Sequence, residues 1–349
     1  QNISDMTQLL NINIISKLDA IQSINLKKNS IRKLENTPLT NLLNRFGNAE
    51  ELILSENQIE SIEKFTNIDS MSLKYLYLDN NRIKEIEENT LQNYFLKKFF
   101  LNNNQIEKIH ENSINMIFLQ HLYLQNNKIS EIQFKNSKFQ RLSFLDLSNN
   151  KLERLSADTF ASLGSLQVLK LSSNKIKSIY SEAFANLDSL QYIDIKYNHI
   201  TEIEPRAFLN CPELDNLNLN SLGITEIHAQ SFYNLKQISL IDFSNNNIQS
   251  LSENSSFFKE APTLKTLNLS FNQLNKLSNE FFREIGSLAS IDLSHNLLTR
   301  IKNEIFRSQT KLEYANFSFN RLSYIEPLAW TGIENSLLFL SLDSNRIEF

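Results

Sequence analysis

The sequence predicts an α/β solenoid: a curved stack of short parallel strands forming one concave sheet of about 14 strands, with irregular or short-helical segments returning along the convex side. Three observations carry this. Apolar residues recur in one fixed frame, an asparagine recurs at one place in that frame, and a phenylalanine recurs at another. The frame is clearest in Leu73, Leu76, Leu78, Ile83 and Ile86, which occupy positions 1, 4, 6, 11 and 14, with Asn81 at position 9. It begins again at Leu96, Leu119, Leu142, Leu166, Leu190, Leu214, Ile238, Leu264, Leu288, Leu312 and Leu337, and upstream at Ile21 and Ala49, which makes 14 repeats spaced 23 to 28 residues apart. A fixed period in this range marks a stack of units, each of which buries its apolar face only against its neighbours.

Within a repeat, positions 3 to 7 alternate as a strand does, so positions 4 and 6 point inward and positions 3, 5 and 7 outward. The position 9 asparagine is present in 13 repeats: Asn29, Asn57, Asn81, Asn104, Asn127, Asn150, Asn174, Asn198, Asn246, Asn272, Asn296, Asn320 and Asn345. Its amide has both donors and an acceptor for backbone groups left unpaired where the strand turns away from the sheet. The ninth repeat has Leu222 there, followed by Gly223, so a kink, a bound water or a wider turn is expected at that point. Phe160, Phe184, Phe208, Phe232, Phe258, Phe282 and Phe306 each stand six residues before the next repeat and read as a packing spine on the convex side. Earlier repeats use Leu91, Ile114 and Phe134 nearby, which divides the array into sections near 1–155 and 156–349. Cys211 falls where Leu163, Leu187 and Leu235 fill the core and reads as a small buried hydrophobe.

The run Leu142-Ser-Phe-Leu145-Asp-Leu147-Ser-Asn-Asn150-Lys-Leu152 resembles the leucine-rich repeat, and the resemblance extends over residues 21–349. Units of 24 residues with the Phe look like the typical repeats of secreted and cell-surface animal proteins, among them Toll-type receptors, Slit and chaoptin. The resemblance implies a leucine-rich-repeat horseshoe that binds protein through its concave face. Residues 1–20 then form an N-terminal cover or a degenerate repeat. The Cys-rich caps of secreted members have no counterpart, and the last frame stops at Phe349, so the array reads as truncated or uncapped there.

Composition excludes several functions. With 35 Lys+Arg against 39 Asp+Glu there is no basic footprint for nucleic acid. No apolar run is long enough to span a bilayer. One cysteine cannot form an intrachain disulfide or a Cys-based zinc site. His110, His121, His199, His228 and His295 lie far apart, without metal-ligand spacing, and neither a phosphate loop nor a nucleophile elbow is present. The expectation is therefore a non-enzymatic protein with no catalytic residues, metal or cofactor.

The concave face is free of the fold's demands, and its most concentrated feature is Tyr75, Tyr77, Phe100, Tyr123 and Phe144, flanked by Lys74, Lys97 and Lys98. Tyr77, Phe100 and Tyr123 share position 5 in consecutive strands and are expected side by side, either as a binding hot spot or as a packing ladder. Further along, position 5 becomes a mildly acidic stripe, including Asp146, Asp194, Asp242 and Asp292, with Tyr192 beside Asp194. This stripe is either a solvated face or a steering surface for a basic partner. Glycosylation sequons begin at Asn2, Asn254, Asn268 and Asn316. The expected partner is a protein ligand or another leucine-rich-repeat chain, a homo-oligomer included, and neither nucleic acid nor a membrane. The role expected is adhesion, receptor signalling or innate recognition outside the cell, the alternative being an intracellular scaffold or regulatory adaptor.

Overall fold

The computed structural model describes residues 20–63, 72–88, 95–109, 113–114, 116–135, 137–228, 230–251, 258, 261–283 and 285–348. The cover expected over residues 1–20, apart from Ala20, the sequons at Asn2 and Asn254, and Leu91 lie outside the described residues.

Every repeat contributes one three-residue strand, from Ser23–Asn25 to Phe339–Ser341, and the 14 strands form a single parallel sheet in chain order. The middle residue of nearly every strand is buried, as the alternation requires; in Tyr75–Tyr77 it is Leu76, between two half-exposed tyrosines. Position 14 ends shorter two-residue strands that pair in the same parallel sense. The largest such group is the four-stranded sheet of Arg154–Leu155, Ser178–Ile179, Glu202–Ile203 and Glu226–Ile227. The molecule divides into two compact units, residues 1–152 with 158–174, and residues 153–157 with 175–349.

The long first spacing, from Ile21 to Ala49, accommodates a helix at Asn36–Arg45. Leu39, Leu42 and Leu43 recur at helical spacing and are all buried, while Arg45 stands in the last turn, where the helix dipole favours a cation. The only other described helix is the short Asn279–Arg283, which buries Phe281 and Phe282.

The asparagine row is a hydrogen-bond ladder. Asn104 donates through Nδ2 to Leu101 O at 3.0 Å and, in the preceding repeat, to Leu78 O at 2.9 Å, and its Oδ1 accepts from Ile83 N at 3.1 Å. Asn127 repeats the pattern with Leu124 O, Leu101 O and Ile106 N. A position 6 carbonyl with an asparagine in both its own and the next repeat, such as Leu78 O, thus takes two side-chain donors, whereas a position 11 amide has a single side-chain acceptor, the asparagine of the next repeat.

That asymmetry corrects the expectation at the ninth repeat. Strands on both sides of Leu222 keep their register, Tyr192–Asp194 against Asn216–Asn218 and Asn216–Asn218 against Leu240–Asp242, so there is no kink. Ile195 O keeps Asn198 as donor and Leu219 O keeps Asn246, so neither carbonyl is abandoned, whereas the Ile200 amide, whose acceptor would come from position 222, has no asparagine there. Gly223, at φ +93°, lets its amide turn toward the next rung, where Asn246 Oδ1 accepts from Leu222, Gly223 and Ile224 at 3.2, 2.9 and 2.9 Å.

The convex spine is as expected. In the second unit Phe184 stacks on Phe208 with ring centroids 5.0 Å apart, Phe208 on Phe232 at 5.6 Å, and Phe232 on Phe258 at 5.8 Å, all buried. Cys211 is buried, its Sγ donating to Phe184 O at 3.0 Å, and burial pushes its thiol pKa up to about 12.

Position 8 holds a feature that hydrophobic periodicity does not report. In all 14 repeats this residue has φ between 52° and 59°, in the left-handed region. Asn80, Asn103, Asn126, Asn149 and Asn245 occupy it at little cost and His295 tolerates it, but Tyr197, Phe271 and Phe319 also occupy it, and for them the same conformation is strained.

Candidate functional site

In the first unit the concave strands bring the position 5 rings together. Strand register sets Tyr77 opposite Phe100 and Phe100 opposite Tyr123. Tyr77 and Phe100 stack with centroids 4.3 Å apart and planes 5° from parallel, and Phe100 and Tyr123 follow at 4.5 Å and 8°. Phe144, at position 3 of the next strand, closes the row against Tyr123 at 5.0 Å with a 40° tilt. His121 lies over Phe144 at 5.5 Å, and Lys170 Nζ sits 5.5 Å above the Phe144 ring from the other side. The row is therefore continuous over four rings, half-buried because each ring covers the next.

Polar groups frame these rings. Tyr77 hydrogen-bonds Glu51, and burial first, with that carboxylate second, pushes its phenol up to about 12. Tyr123 Oη is 3.4 Å from His121 Nδ1. Burial, reinforced by the Lys98 ammonium, lowers the His121 pKa, so the ring is neutral near pH 7. Lys98 stands between Tyr75 and His121 in the strand register, and Lys74 is held by Glu50. Tyr75 shares the surface with the stack without joining it. Asp146, expected in a solvated stripe, is instead buried: it lies between Tyr123 and Lys170 in the register, and its carboxylate accepts from the amide and hydroxyl of Ser148.

Tyr192 and Asp194 belong to the second unit. Tyr192 is 42% exposed, paired in register with Asn216 and stacked on no ring among the described residues, while Asp194 Oδ1 accepts from Lys196 N at 3.3 Å. The two sequon asparagines described here are both tied down. Asn268 Oδ1 accepts from the amide and hydroxyl of Ser270, Asn316 Oδ1 does the same with Ser318, and Asn316 Nδ2 donates to Asp292 at 3.2 Å.

Sequence reasoning passed over a second aromatic row, at position 8 of the second unit. Phe271 stacks on His295 at 3.9 Å and 10°, and His295 on Phe319 at 4.3 Å and 8°. The signal was available in the Asn-Asn pairs at 80–81, 103–104, 126–127, 149–150 and 245–246. They mark position 8 as a left-handed site and its bulky occupants as exceptional.

Among the described residues no group of His, Cys, Asp and Glu could hold a metal ion, and no helix is long and apolar enough to cross a membrane. His228 Nε2 bonds Glu202 at 2.7 Å on the edge of the four-stranded side sheet. The arrangement of the concave face offers recognition, through aromatic edges, hydroxyls and a few charges.

Comparison with known proteins agrees with this architecture. The Leucine rich repeat family matches residues 71–129, 117–176, 140–200 and 165–221, and the BspA type Leucine rich repeat region matches 201–337. No curated protein sequence matches the chain. Among solved structures, Toll in the Toll–Spatzle complex of Drosophila aligns with TM-score 0.66 and 18% identity, over 88% of this chain and 45% of that one. An internalin from Listeria monocytogenes aligns with TM-score 0.57 and 21% identity, over 97% of this chain and 93% of that one. This chain thus spans less than half the length of Toll, and at these identities the likeness is one of fold.

Proposed function

Because this chain belongs to the leucine-rich-repeat family, we propose that it is a non-enzymatic protein-binding module whose docking site is the Tyr77–Phe100–Tyr123–Phe144 row of the first unit, with Tyr75 and Lys98 at its rim, and that Tyr192 and Asp194 are a separate candidate contact within the second unit. The observation that carries this reading is the way the rings stand. Their faces are spent on one another, so a partner meets ring edges, the Tyr hydroxyls and the Lys98 ammonium. Ring edges carry the positive end of the aromatic quadrupole and suit carbonyl and carboxylate oxygens. A nucleobase, which needs an open face to stack on, is poorly served. Half-exposed aromatics rimmed by polar groups are the composition of protein hot spots.

The setting we infer is the cell surface or the extracellular space, for adhesion, receptor signalling or innate recognition, and it rests on the Phe-bearing repeats and the match to BspA-type repeats. Glycans at Asn268 or Asn316 belong to that reading, and intact-mass analysis of protein secreted from eukaryotic cells tests it. An intracellular scaffold is the second reading, favoured by the lone buried thiol. The decisive binding experiment compares the wild type with a Tyr77→Ala/Phe100→Ala/Tyr123→Ala variant in a screen against surface and secreted proteins, with circular dichroism as a check on folding. Loss of binding with an intact fold is expected. Retained binding refutes the site.

A further inference from the structure

The position 8 row of the second unit asks for an explanation that packing does not supply. Five other repeats place Asn in this left-handed conformation, which Asn adopts readily. Here three successive repeats use Phe271, His295 and Phe319, at φ 53°, 52° and 53°, and hold the rings parallel. The rings are not buried: Phe271 is 49% and Phe319 50% exposed, while Ser270, Ser294 and Ser318 just before them are buried. The row ends abruptly, because position 8 is Asn245 on one side and Ser344 on the other. No ring among the described residues stacks on the outer faces of Phe271 and Phe319, and both residues are half exposed.

An open aromatic face is an electrostatic site for a cation. The concave strand positions beside it are mainly acidic, while the exposed Arg321 and Arg346 stand two residues beyond Phe319 and Ser344. Over positions 2, 3, 5, 7 and 8 of the five repeats beginning at Ile238, Leu264, Leu288, Leu312 and Leu337, the acidic side chains are Asp242, Asp292, Glu313 and Asp343 and the only basic side chain besides His295 is Lys265. Asp292 shares a repeat with His295, and Asp343 O bonds the Phe319 amide at 3.0 Å.

We propose that the Phe271–His295–Phe319 row docks an extended, arginine-bearing segment of a protein partner, with one guanidinium on each open outer face. The two faces and the rings between them set the guanidinium groups roughly 15 Å apart, which an extended chain covers in about four to five residues. Arginine is preferred to lysine because a planar guanidinium stacks on a ring and sheds water more easily. This site is separate from the aromatic row of the first unit and stands or falls independently of it.

The test uses the full chain made in bacteria, so that Asn268 and Asn316 carry no sugar. The probe is a fluorescein-labelled Gly-Ser peptide with two arginines four residues apart, followed by fluorescence anisotropy, with lysine and glutamine versions as controls. Wild type is expected to prefer arginine over lysine and to ignore glutamine. Phe271→Asn/Phe319→Asn installs the residue other repeats use at this position, so the fold is kept. It is expected to weaken binding about tenfold. Phe271→Leu/Phe319→Leu keeps apolar bulk without a π face and is expected to weaken it similarly, with circular dichroism confirming that it folds. The proposal is overturned if the arginine peptide does not bind wild type, if the glutamine peptide binds equally, or if either folded double variant binds like wild type.

Discussion

The ladder's uneven redundancy predicts that equivalent asparagines are not of equal worth. Asn127→Ala removes two donors and one acceptor, yet Leu101 O retains Asn104 and Leu124 O retains Asn150, so only the Ile106 amide loses its sole side-chain partner. Leaving one buried backbone group unpaired costs about 1–3 kcal/mol. Asn246→Ala is a different injury because the neighbouring rung holds Leu222. Leu219 O then has no other asparagine to turn to, and the amides of Leu222, Gly223 and Ile224 lose the acceptor they share. Counting only the carbonyl and the Ile224 amide gives about 2–6 kcal/mol. Urea unfolding of both variants, with hydrogen exchange at Ile106 and Ile224 to localise the loss, is expected to show Asn246→Ala the less stable by at least about 1 kcal/mol. Equal losses, or a larger loss for Asn127→Ala, refute the redundancy argument.

Four further predictions follow from burial and charge. Phe208→Ala, which opens the buried spine between Phe184 and Phe232, is expected to cost about 3–5 kcal/mol in urea unfolding, whereas Phe319→Asn stays within about 1 kcal/mol of wild type because lost stacking is offset by relief of the left-handed backbone. Cys211 should resist a thiol reagent in the native state and react fully in urea. Its folded pKa, at about 12, lies above the unfolded value, so its contribution to stability is complete below the ordinary thiol pKa and declines as pH rises from there toward 12. His121 is shifted the other way, so its contribution is complete above the ordinary histidine pKa of 6.5 and is lost as pH falls through the depressed folded value; Lys98→Gln should raise that value in an NMR titration. Ultraviolet titration should find Tyr77 still protonated when ordinary tyrosines have ionised near pH 10, and Glu51→Gln should bring it down.

The opposed character of the two concave stretches bears on how the protein reads partners. In the first unit, rings at position 5 spend their faces on each other and leave Lys98 and hydroxyls at the rim. In the second, rings at position 8 leave two faces without a stacked ring among the described residues. The same repeat frame thus supports different concave surfaces, because positions 2, 3, 5, 7 and 8 carry none of the repeating apolar core residues and are free to vary.

The order of the strands, their parallel sense, the inward positions, the asparagine ladder and the buried phenylalanines were all legible in the sequence. Each repeat packs only on its neighbours, so a period of about 24 residues already states which residues meet. Even the adjacency of Tyr77, Phe100 and Tyr123 followed from register alone. What the frame does not carry is side-chain torsion, backbone handedness and the number of partners a group has. The stacking that consumes the faces of one aromatic row and leaves two faces of another without a stacked ring depends on what flanks each ring. The burial of Asp146 depends on Tyr123, Lys170 and Ser148 around it. The left-handed residue at position 8 is dictated by backbone hydrogen bonding at the strand exit, which apolar periodicity cannot register. With Leu222 in the ladder, Ile195 O and Leu219 O each still keep a donor from one neighbouring asparagine, a redundancy that exists only when consecutive repeats are stacked.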